Sequence, residues 1–293
     1  MSSTISSSDP AATAAQRKPR DDELEVYGLT HVGKVRRENQ DHFLFCTLHK
    51  MLRVRVTSLP TPELLEIPSE RLGSLFMVAD GVGGGEGGEA ASRVTVETMA
   101  TYVTHTMQCY YRSESVDHAA FVTALQGAVG RCHETVVTRA RERKASKMAT
   151  TLTLGLAVWP RLYLLQVGDS RCYRFRQGEL DLLTRDQTLA QALVDSGALK
   201  PADLPRSPFR NVLSSSIGGT TLPELSHHDL LHGDLVLLCT DGLTKHVPDD
   251  KIRQRLREME NAEHACRMLV NDALDGGGTD NVTVLIARTV LKS

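Results

Sequence analysis

The chain has 293 residues, of which 41% are hydrophobic and 24% charged, and its formal net charge is −2. This composition is typical of a globular protein, and a charge so close to zero gives no electrostatic basis for binding nucleic acid or an anionic membrane. No apolar run approaches the roughly 20 residues of a membrane-spanning helix. Six cysteines are scattered without Cys-x-x-Cys spacing, which indicates neither a disulfide framework nor a zinc site. We therefore expect a cytoplasmic protein, and a monomer.

Taken in chain order, the sequence predicts a short tail followed by alternating groups of strands and helices. Residues 1–20 are rich in Ser, Ala and Thr and lack an apolar core, which predicts a disordered tail before a single domain at residues 21–293. Short β-branched apolar segments predict strands at residues 42–47, 74–79, 151–158, 162–167, 171–175, 234–239 and 281–287. Helical periodicity predicts helices at residues 89–111, 117–144, 186–196, 249–259 and 262–275.

The order of these elements bears on the fold class. Strict strand–helix–strand alternation is absent, so mostly antiparallel sheets with helices packed outside them are favoured over a doubly wound parallel sheet. Residues 51–71 are predicted to be a surface excursion between two strands, and His227 and His228 are predicted to lie in a turn. Residues 199–222 are irregular, contain three prolines, and are long enough to predict a functional loop.

Acidic residues recur where apolar runs end. Asp80, Asp169 and Asp241 each follow such a run, and Asp280 immediately precedes one. A single Asp-Gly pair is most often a plain turn, but several carboxylates brought together repel one another unless a cation offsets them. A ligand set made only of oxygen favours Mg²⁺ or Mn²⁺ over zinc.

The glycines after Asp80 allow a different interpretation. Gly83, Gly85 and Gly88 satisfy the G-x-G-x-x-G pattern of dinucleotide-binding proteins. However, the helix that follows leads into another helix, and no strand ending in an acidic residue appears about 20 residues later, as a ribose contact requires. We favour the alternative that these glycines let the backbone approach a metal ion closely.

Upstream, Arg36 lies in the charged segment 33–41, just before a predicted strand. A planar guanidinium can bind two oxygens of a phosphate monoester at once. The competing interpretation is a solvated charged turn.

Together these segments resemble the metal-dependent protein phosphatases, the type 2C Ser/Thr phosphatases, and in particular their bacterial branch. The resemblance extends over about residues 26–288 and rests on six motifs in the family's order, at residues 33–41, 80–92, 148–151, 168–171, 241–244 and 278–281. It implies an α+β fold, a four-layer α-β-β-α sandwich in which two mostly antiparallel sheets are flanked by helix pairs. It also implies that residues 199–222 form a flap beside the active site.

The resemblance further implies roles for individual residues. Asp80 would bridge two Mn²⁺ or Mg²⁺ ions, and Gly81 would add its backbone carbonyl to one of them. Asp241 and Asp280 would ligate the other ion, while Asp41 would hold metal-bound water or ligate directly. Arg36 would clamp the phosphate.

The activity implied is hydrolysis of phosphoserine and phosphothreonine in proteins by a metal-activated water. Its phosphoprotein substrates would include a Ser/Thr kinase or the targets of that kinase. The alternative is a catalytically weak pseudophosphatase that acts as a phosphoprotein-binding module, but the intact Arg36, Asp41, Asp80, Asp241 and Asp280 argue against it.

The sequence departs from the family pattern at three positions. Val82 stands where eukaryotic members carry a His proposed as general acid, and valine cannot donate a proton. Lys245 replaces an Asp that many bacterial members use for a third metal ion, so we expect that ion to bind weakly or not at all, and Lys245 to pair with Asp169, the other ligand of that ion. Gln40 replaces a Glu outside the inner ligand set.

Overall fold

The computed structural model describes residues 17–49, 52–53, 66–67, 71–83, 86–110, 118–143 and 147–290. Most of the predicted tail, residues 1–16, and most of the predicted excursion at 51–71 lie outside these ranges. At the start of the described chain, the Arg17 side chain is hydrogen-bonded to the buried Glu23 carboxylate. The Arg71 guanidinium donates to the Pro19 carbonyl oxygen at 2.6 Å. Residues just before position 20 therefore pack against the domain.

Two antiparallel sheets form the centre of the molecule. The first sheet has the strand order β1 (Leu24–His31), β13 (Val282–Thr289), β12 (Leu235–Cys239), β9 (Arg171–Arg176) and β10 (Glu179–Leu182). The second has the order β11 (Glu224–Asp229), β8 (Arg161–Val167), β7 (Leu152–Val158), β5 (Arg71–Val82) and β2 (Asp41–His49), with β6 (Ala149–Thr150) also paired to β5. A separate two-stranded pair joins β3 (Leu52–Arg53) and β4 (Glu66–Ile67).

Helices cover the outer face of each sheet. The second sheet packs against α1 (Glu86–Tyr110) and α2 (His118–Glu142), and the short helices α3 (Leu189–Asp195) and α4 (Asp241–Thr244) lie in connections. The first sheet packs against α5 (Asp249–Glu258) and α6 (Ala262–Asp275). A third apolar cluster lies between the sheets. The four-layer α-β-β-α prediction is therefore confirmed. Among the helices of the described ranges, none has the length and apolar character that crossing a bilayer requires.

The central strands are buried on both faces, which explains why their sequences are continuous apolar runs. In β12, Leu237 and Cys239 pack with the α5–α6 cluster, while Val236 and Leu238 point into the cluster between the sheets. All four side chains are nearly inaccessible to solvent. Burying one such side chain contributes about 1.5–3 kcal/mol, so truncating Leu237 to Ala would loosen one face of this sheet.

The helices of the first sheet show clear local sequence signals. Asp249 and Asp250 open α5 and basic residues close it, which complements the helix dipole. Ile252 and Leu256, four residues apart, supply its buried stripe. The Asn261 side chain caps α6 by accepting a hydrogen bond from the His264 backbone N–H at 2.8 Å.

Apart from the two-residue strands β3, β4 and β6, three strands were not predicted, and all three lie at sheet edges. The prediction of a turn at His227 and His228 is wrong, because both lie in β11, opposite Tyr163 and Leu162 of β8. An edge strand with one exposed face carries polar residues and loses the apolar signature. In β1, Gly28 interrupts the pattern because Phe43 occupies the space of a side chain there, with a ring carbon 2.3 Å from where a Cβ would be. The third is β10 (Glu179–Leu182).

The sheet topology also decides between the two interpretations of the glycine-rich segment. Strand β5 leads into α1 and then α2, and its strand partners β2, β6 and β7 are all antiparallel to it. A dinucleotide-binding fold requires a parallel crossover at this point. The dinucleotide interpretation is therefore wrong.

Candidate active site

Five aspartates from separate parts of the chain meet at one end of the two sheets. Asp41 opens β2 and lies opposite Asp80 of β5, while Asp169 lies in the β8–β9 turn. Asp241 opens α4 directly after β12, and Asp280 precedes β13. Burial raises the pKa of Asp80 well above its usual range, and the negative charges of the other four carboxylates raise it further. This mutual repulsion shows that the predicted carboxylates are brought together.

Asp80 is held by its backbone while its carboxylate stays unpaired. Its carbonyl oxygen accepts hydrogen bonds from the Thr151 N–H at 2.9 Å and the Thr150 hydroxyl at 2.8 Å. Strand β5 continues past Asp80 to Val82, so this aspartate lies within the strand rather than at its end. In the described parts of the chain, the Asp80 carboxylate has no hydrogen-bond or ion-pair partner. It is therefore a free pair of oxygens on rigid backbone.

Gly81 is fixed by close backbone contacts. A Cβ at this position would lie 2.3 Å from the Gly88 carbonyl oxygen at the start of α1 and 2.8 Å from the Gln40 carbonyl oxygen. The Gly81 N–H donates to the same Gln40 oxygen at 3.2 Å. Only glycine allows β2, β5 and α1 to approach one another so closely.

Asp41 presents one satisfied oxygen and one unsatisfied oxygen. Its Oδ2 accepts hydrogen bonds from the Thr240 hydroxyl at 2.8 Å and the Thr283 hydroxyl at 2.7 Å, while its Oδ1 is buried without a partner. Burial raises the pKa of Asp41 to about 7, against the opposing effect of the two hydroxyl bonds. Sequence reasoning missed both threonines, although Thr240 directly precedes Asp241.

Two cations neutralise the carboxylates that come from the first sheet. The Lys245 ammonium lies 2.6 Å from Oδ2 of Asp241 and 2.8 Å from Oδ2 of Asp280. Arg36 forms a fork on Asp280, with Nε 2.7 Å from Oδ1 and Nη2 3.0 Å from Oδ2. Burial opposes ionisation of Asp280, but the hydrogen bonds from Lys245 and Arg36 lower its pKa below the usual value. At Asp241, burial outweighs Lys245 and raises the pKa.

The predicted pairing of Lys245 with Asp169 is wrong. Lys245 follows Asp241 by four residues across α4, and this spacing places the ammonium on the Asp241 side chain. Asp169 is 7% exposed and has no ion pair within the described ranges. Burial, followed by the charges of Asp241 and Asp186, raises the pKa of Asp169 well above its usual range.

Asn281 positions the segment that carries Arg36. Its Nδ2 donates to the carbonyl oxygens of Val32 at 2.8 Å and Glu38 at 2.9 Å, and its Oδ1 accepts from the Gln40 N–H at 2.9 Å. These three bonds tie residues 32–40 to the start of β13 and bring Arg36 to Asp280. Asn281 belongs to one of the sequence motifs, but its role was not predicted.

The oxygens that remain free fit a hard divalent cation. In the described parts of the chain, no three Asp, Glu, His or Cys side chains are already placed to hold a metal ion. Lys245 and Arg36 bind oxygens of Asp241 and Asp280. Among the described residues, the Asp80 carboxylate and the buried Oδ1 atoms of Asp41 and Asp241 have no hydrogen-bond partners. Mg²⁺ and similar ions keep several waters and need only one or two carboxylates each. The residues therefore fit Mn²⁺ or Mg²⁺.

The irregular segment 199–222 lies beside these residues. It contains a 3₁₀ helix at Pro201–Arg206, and its Ile217 exchanges backbone hydrogen bonds with Thr150 at 2.8 and 2.9 Å. Thr150 in turn donates to Asp80, so this segment borders the acidic cluster. Val82, two residues after Asp80, is 37% exposed at the same border.

Comparison with known proteins points to one family. The family model described as Protein phosphatase 2C matches residues 66–276. The serine/threonine protein phosphatase PstP of Mycobacterium tuberculosis is 35% identical over 218 residues, which are 74% of this chain and 40% of that relative's length. This chain thus spans less than half of that relative.

Solved structures give the same indication for the fold. A crystal structure of the M. tuberculosis serine/threonine phosphatase PstP/Ppp superimposes with a TM-score of 0.72 and 28% identity, over 92% of this chain and 99% of that one. A crystal structure of the PstP catalytic domain in complex with two manganese ions gives a TM-score of 0.69 and 28% identity over the same shares.

Proposed function

The chain belongs to the protein phosphatase 2C family, and on this premise we propose that it hydrolyses phosphoserine and phosphothreonine in proteins with divalent metal ions. One observation carries the proposal: five aspartates converge while the Asp80 carboxylate and an oxygen each of Asp41 and Asp241 have no partner in the described ranges. Within the described ranges, only Arg36 and Lys245 form ion pairs with these five carboxylates. The excess negative charge favours additional cations.

The proposed roles follow the placement of each oxygen. On the second-sheet side, Asp80 and the Gly81 carbonyl would hold the ions. On the first-sheet side, Asp241 and Asp280 would hold them. Asp41, fixed by two threonine hydroxyls, would direct its free Oδ1 towards an ion or a water. When bound, two divalent cations polarise a phosphoryl oxygen and lower the pKa of a water. We infer two Mn²⁺ or Mg²⁺ ions, and weak or absent binding of a third at Asp169.

Arg36 is suited to orient the phosphate. Its side chain is 51% exposed, and its fork already binds both oxygens of a carboxylate. A phosphate monoester offers the same two-oxygen geometry with more charge. Val82 has no proton to give, so the proton for the leaving hydroxyl must come from water or from another group.

The setting of the enzyme is also a proposal. We infer that residues 21–293 form one catalytic domain after a tail at 1–20, whose last residues contact the domain through Arg17 and Pro19. We further infer that the protein acts as a monomer, and that its substrates include a Ser/Thr kinase or that kinase's targets. The described cysteines are all free thiols, which supports a reducing cytoplasm: Cys46, Cys132, Cys172, Cys239 and Cys266.

The test is a hydrolysis assay with and without Mn²⁺. We expect Mn²⁺-dependent phosphate release from p-nitrophenyl phosphate and from a phosphothreonine peptide. In Asp80→Asn, kcat/KM should fall by at least about 10³-fold, because that carboxylate would hold both ions. Asp229→Asn, at the far end of the second sheet, is the matched control. Binding of the peptide without turnover would instead support the pseudophosphatase alternative, for which the structure offers no separate observation.

A further inference from the structure

A groove of about 440 Å³ opens beside the acidic cluster. Its lining combines apolar side chains with glycines and two basic residues: Val82, Val137, Ala140 and Met148, then Gly83 and Gly218, then Arg141 and Lys147. Glycines let its walls meet closely. A Cβ on Gly83 would lie 2.6 Å from the Lys147 carbonyl oxygen, and one on Gly218 would lie 2.3 Å from the Met148 carbonyl oxygen.

The groove is continuous with the proposed active site. Val82 is two residues after Asp80 in β5, so their side chains share a face and their Cα atoms are about 7 Å apart. In an extended peptide, a residue two or three positions from the phosphorylated one lies about 7–10 Å away. A substrate whose phosphate is at the acidic cluster can therefore place a neighbouring residue in the groove.

The charge of the groove is opposite to that of the cluster. Arg141, in the last turn of α2, and Lys147, just before β6, are both exposed. Within the described ranges, neither side chain makes a hydrogen bond or an ion pair. By contrast, Arg93 in α1 forms an ion pair with Glu89 at 3.1 Å. Two unpaired cations above an apolar floor complement a peptide that carries an acidic side chain.

We propose that this groove binds the residues flanking the phosphorylated Ser or Thr, and that Arg141 and Lys147 select substrates with acidic flanking residues. The inference rests on the proposed phosphatase function and specifies its substrate class. Arg141 and Lys147 determine specificity but are not part of the chemistry, because neither contacts the carboxylate cluster.

The experiment compares three substrates with the full chain and Mn²⁺. They are p-nitrophenyl phosphate, a phosphothreonine peptide with Glu at the second and third positions on both sides, and the same peptide with Lys at those positions. The wild type should prefer the Glu peptide in kcat/KM by roughly tenfold, since each exposed ion pair contributes modestly. Arg141→Glu and Lys147→Glu should each reduce this preference, and the double variant should invert it. Hydrolysis of p-nitrophenyl phosphate, which has no flanking residues for Arg141 and Lys147 to bind, should be unchanged and verifies that the variants fold.

The matched control is Lys251→Glu, an equal charge reversal on α5, where the lysine contacts only Gln254 in the described structure. It should leave the peptide preference unchanged. Equal hydrolysis of both peptides by the wild type, a preference for the Lys peptide, or a Glu preference that survives the double variant would overturn the inference while the phosphatase function stands. Failure to hydrolyse even p-nitrophenyl phosphate would overturn the proposed function and this inference with it.

Discussion

The two sheets contribute carboxylates to the same cluster, but they stabilise them differently. Asp41 and Asp80, from the second sheet, form no ion pair in the described ranges, and burial with like-charge repulsion raises the pKa of both. Asp280, beside the first sheet, is held by Lys245 and Arg36, and its pKa is lowered. The second-sheet side thus lacks positive charge that the first-sheet side already has. We infer that added divalent cations stabilise the second-sheet side more.

The largest expected effect is on how the free energy of unfolding of the metal-free protein depends on pH. The pKa of folded Asp41 is about 7, against 3.8 for the free side chain. A raised pKa contributes stability that is fully present below the unfolded value and is lost as pH rises through the folded value. In EDTA, the free energy of unfolding should therefore fall by a few kcal/mol between pH 5 and pH 8. Urea unfolding at the two pH values measures this.

Two comparisons sharpen this expectation. Asp41→Asn should flatten the decline in EDTA, since the amide does not titrate but can still accept from the two threonine hydroxyls. Saturating Mn²⁺ should abolish the decline in the wild type, because bound cations keep the carboxylate ionised. A free energy of unfolding that rises from pH 5 to pH 8 in EDTA would contradict the inference that the second-sheet carboxylates lack compensating positive charge.

A paired substitution tests the two sides directly. In EDTA at pH 8, Asp80→Asn should raise the free energy of unfolding by about 1–2 kcal/mol, because it removes one of several mutually repelling charges. Asp280→Asn should lower it by about 2 kcal/mol, because Lys245 and Arg36 then lose their shared partner. Both variants should lose Mn²⁺-dependent activity. Shifts of the same sign in the two variants would refute the difference between the sheets.

This contrast also shows what the sequence could and could not predict. The central strands are buried on both faces, so β12 is a continuous apolar run and was predicted as a strand. The edge strands β1 and β11 carry polar residues or glycine and were not predicted. Asp80, Asp241 and Asp280 were identified because they lie at the ends of apolar runs. Their ion-pair partners were not identified, because side-chain geometry decides whether Lys245 pairs with Asp241 or with Asp169.

Long-range partners were the least predictable part of the site. The hydroxyl donors to Asp41 lie 199 and 242 residues away along the chain. Nothing in a single sequence indicates that Thr240, directly after β12, and Thr283, in β13, converge on one carboxylate oxygen. Such contacts follow only from how the two sheets stack.

A smaller effect is expected at Lys245. Removing its ammonium in Lys245→Ala frees oxygens of Asp241 and Asp280, so Mn²⁺ should bind roughly tenfold more tightly, or about 1.4 kcal/mol. Isothermal titration calorimetry measures the affinity independently of turnover. Without metal, the same variant should unfold at a lower temperature than the wild type. Lys251→Ala, which removes a half-buried lysine of α5 far from the cluster, is the control. Unchanged Mn²⁺ affinity in Lys245→Ala would show that the ammonium does not compete with the metal.

The smallest effect tests how the first sheet supports the second. Thr283→Val removes one of the two hydroxyl donors to Oδ2 of Asp41 and keeps the shape of the side chain. Thr240 remains as the second donor, so the free energy of unfolding should fall by about 1 kcal/mol. Thr283→Ser, which retains the hydroxyl, should restore most of this loss and the Mn²⁺ affinity. If valine and serine behave alike, the Thr283 hydroxyl does not position Asp41, and the Thr240 hydroxyl bond alone supports it from the first-sheet side.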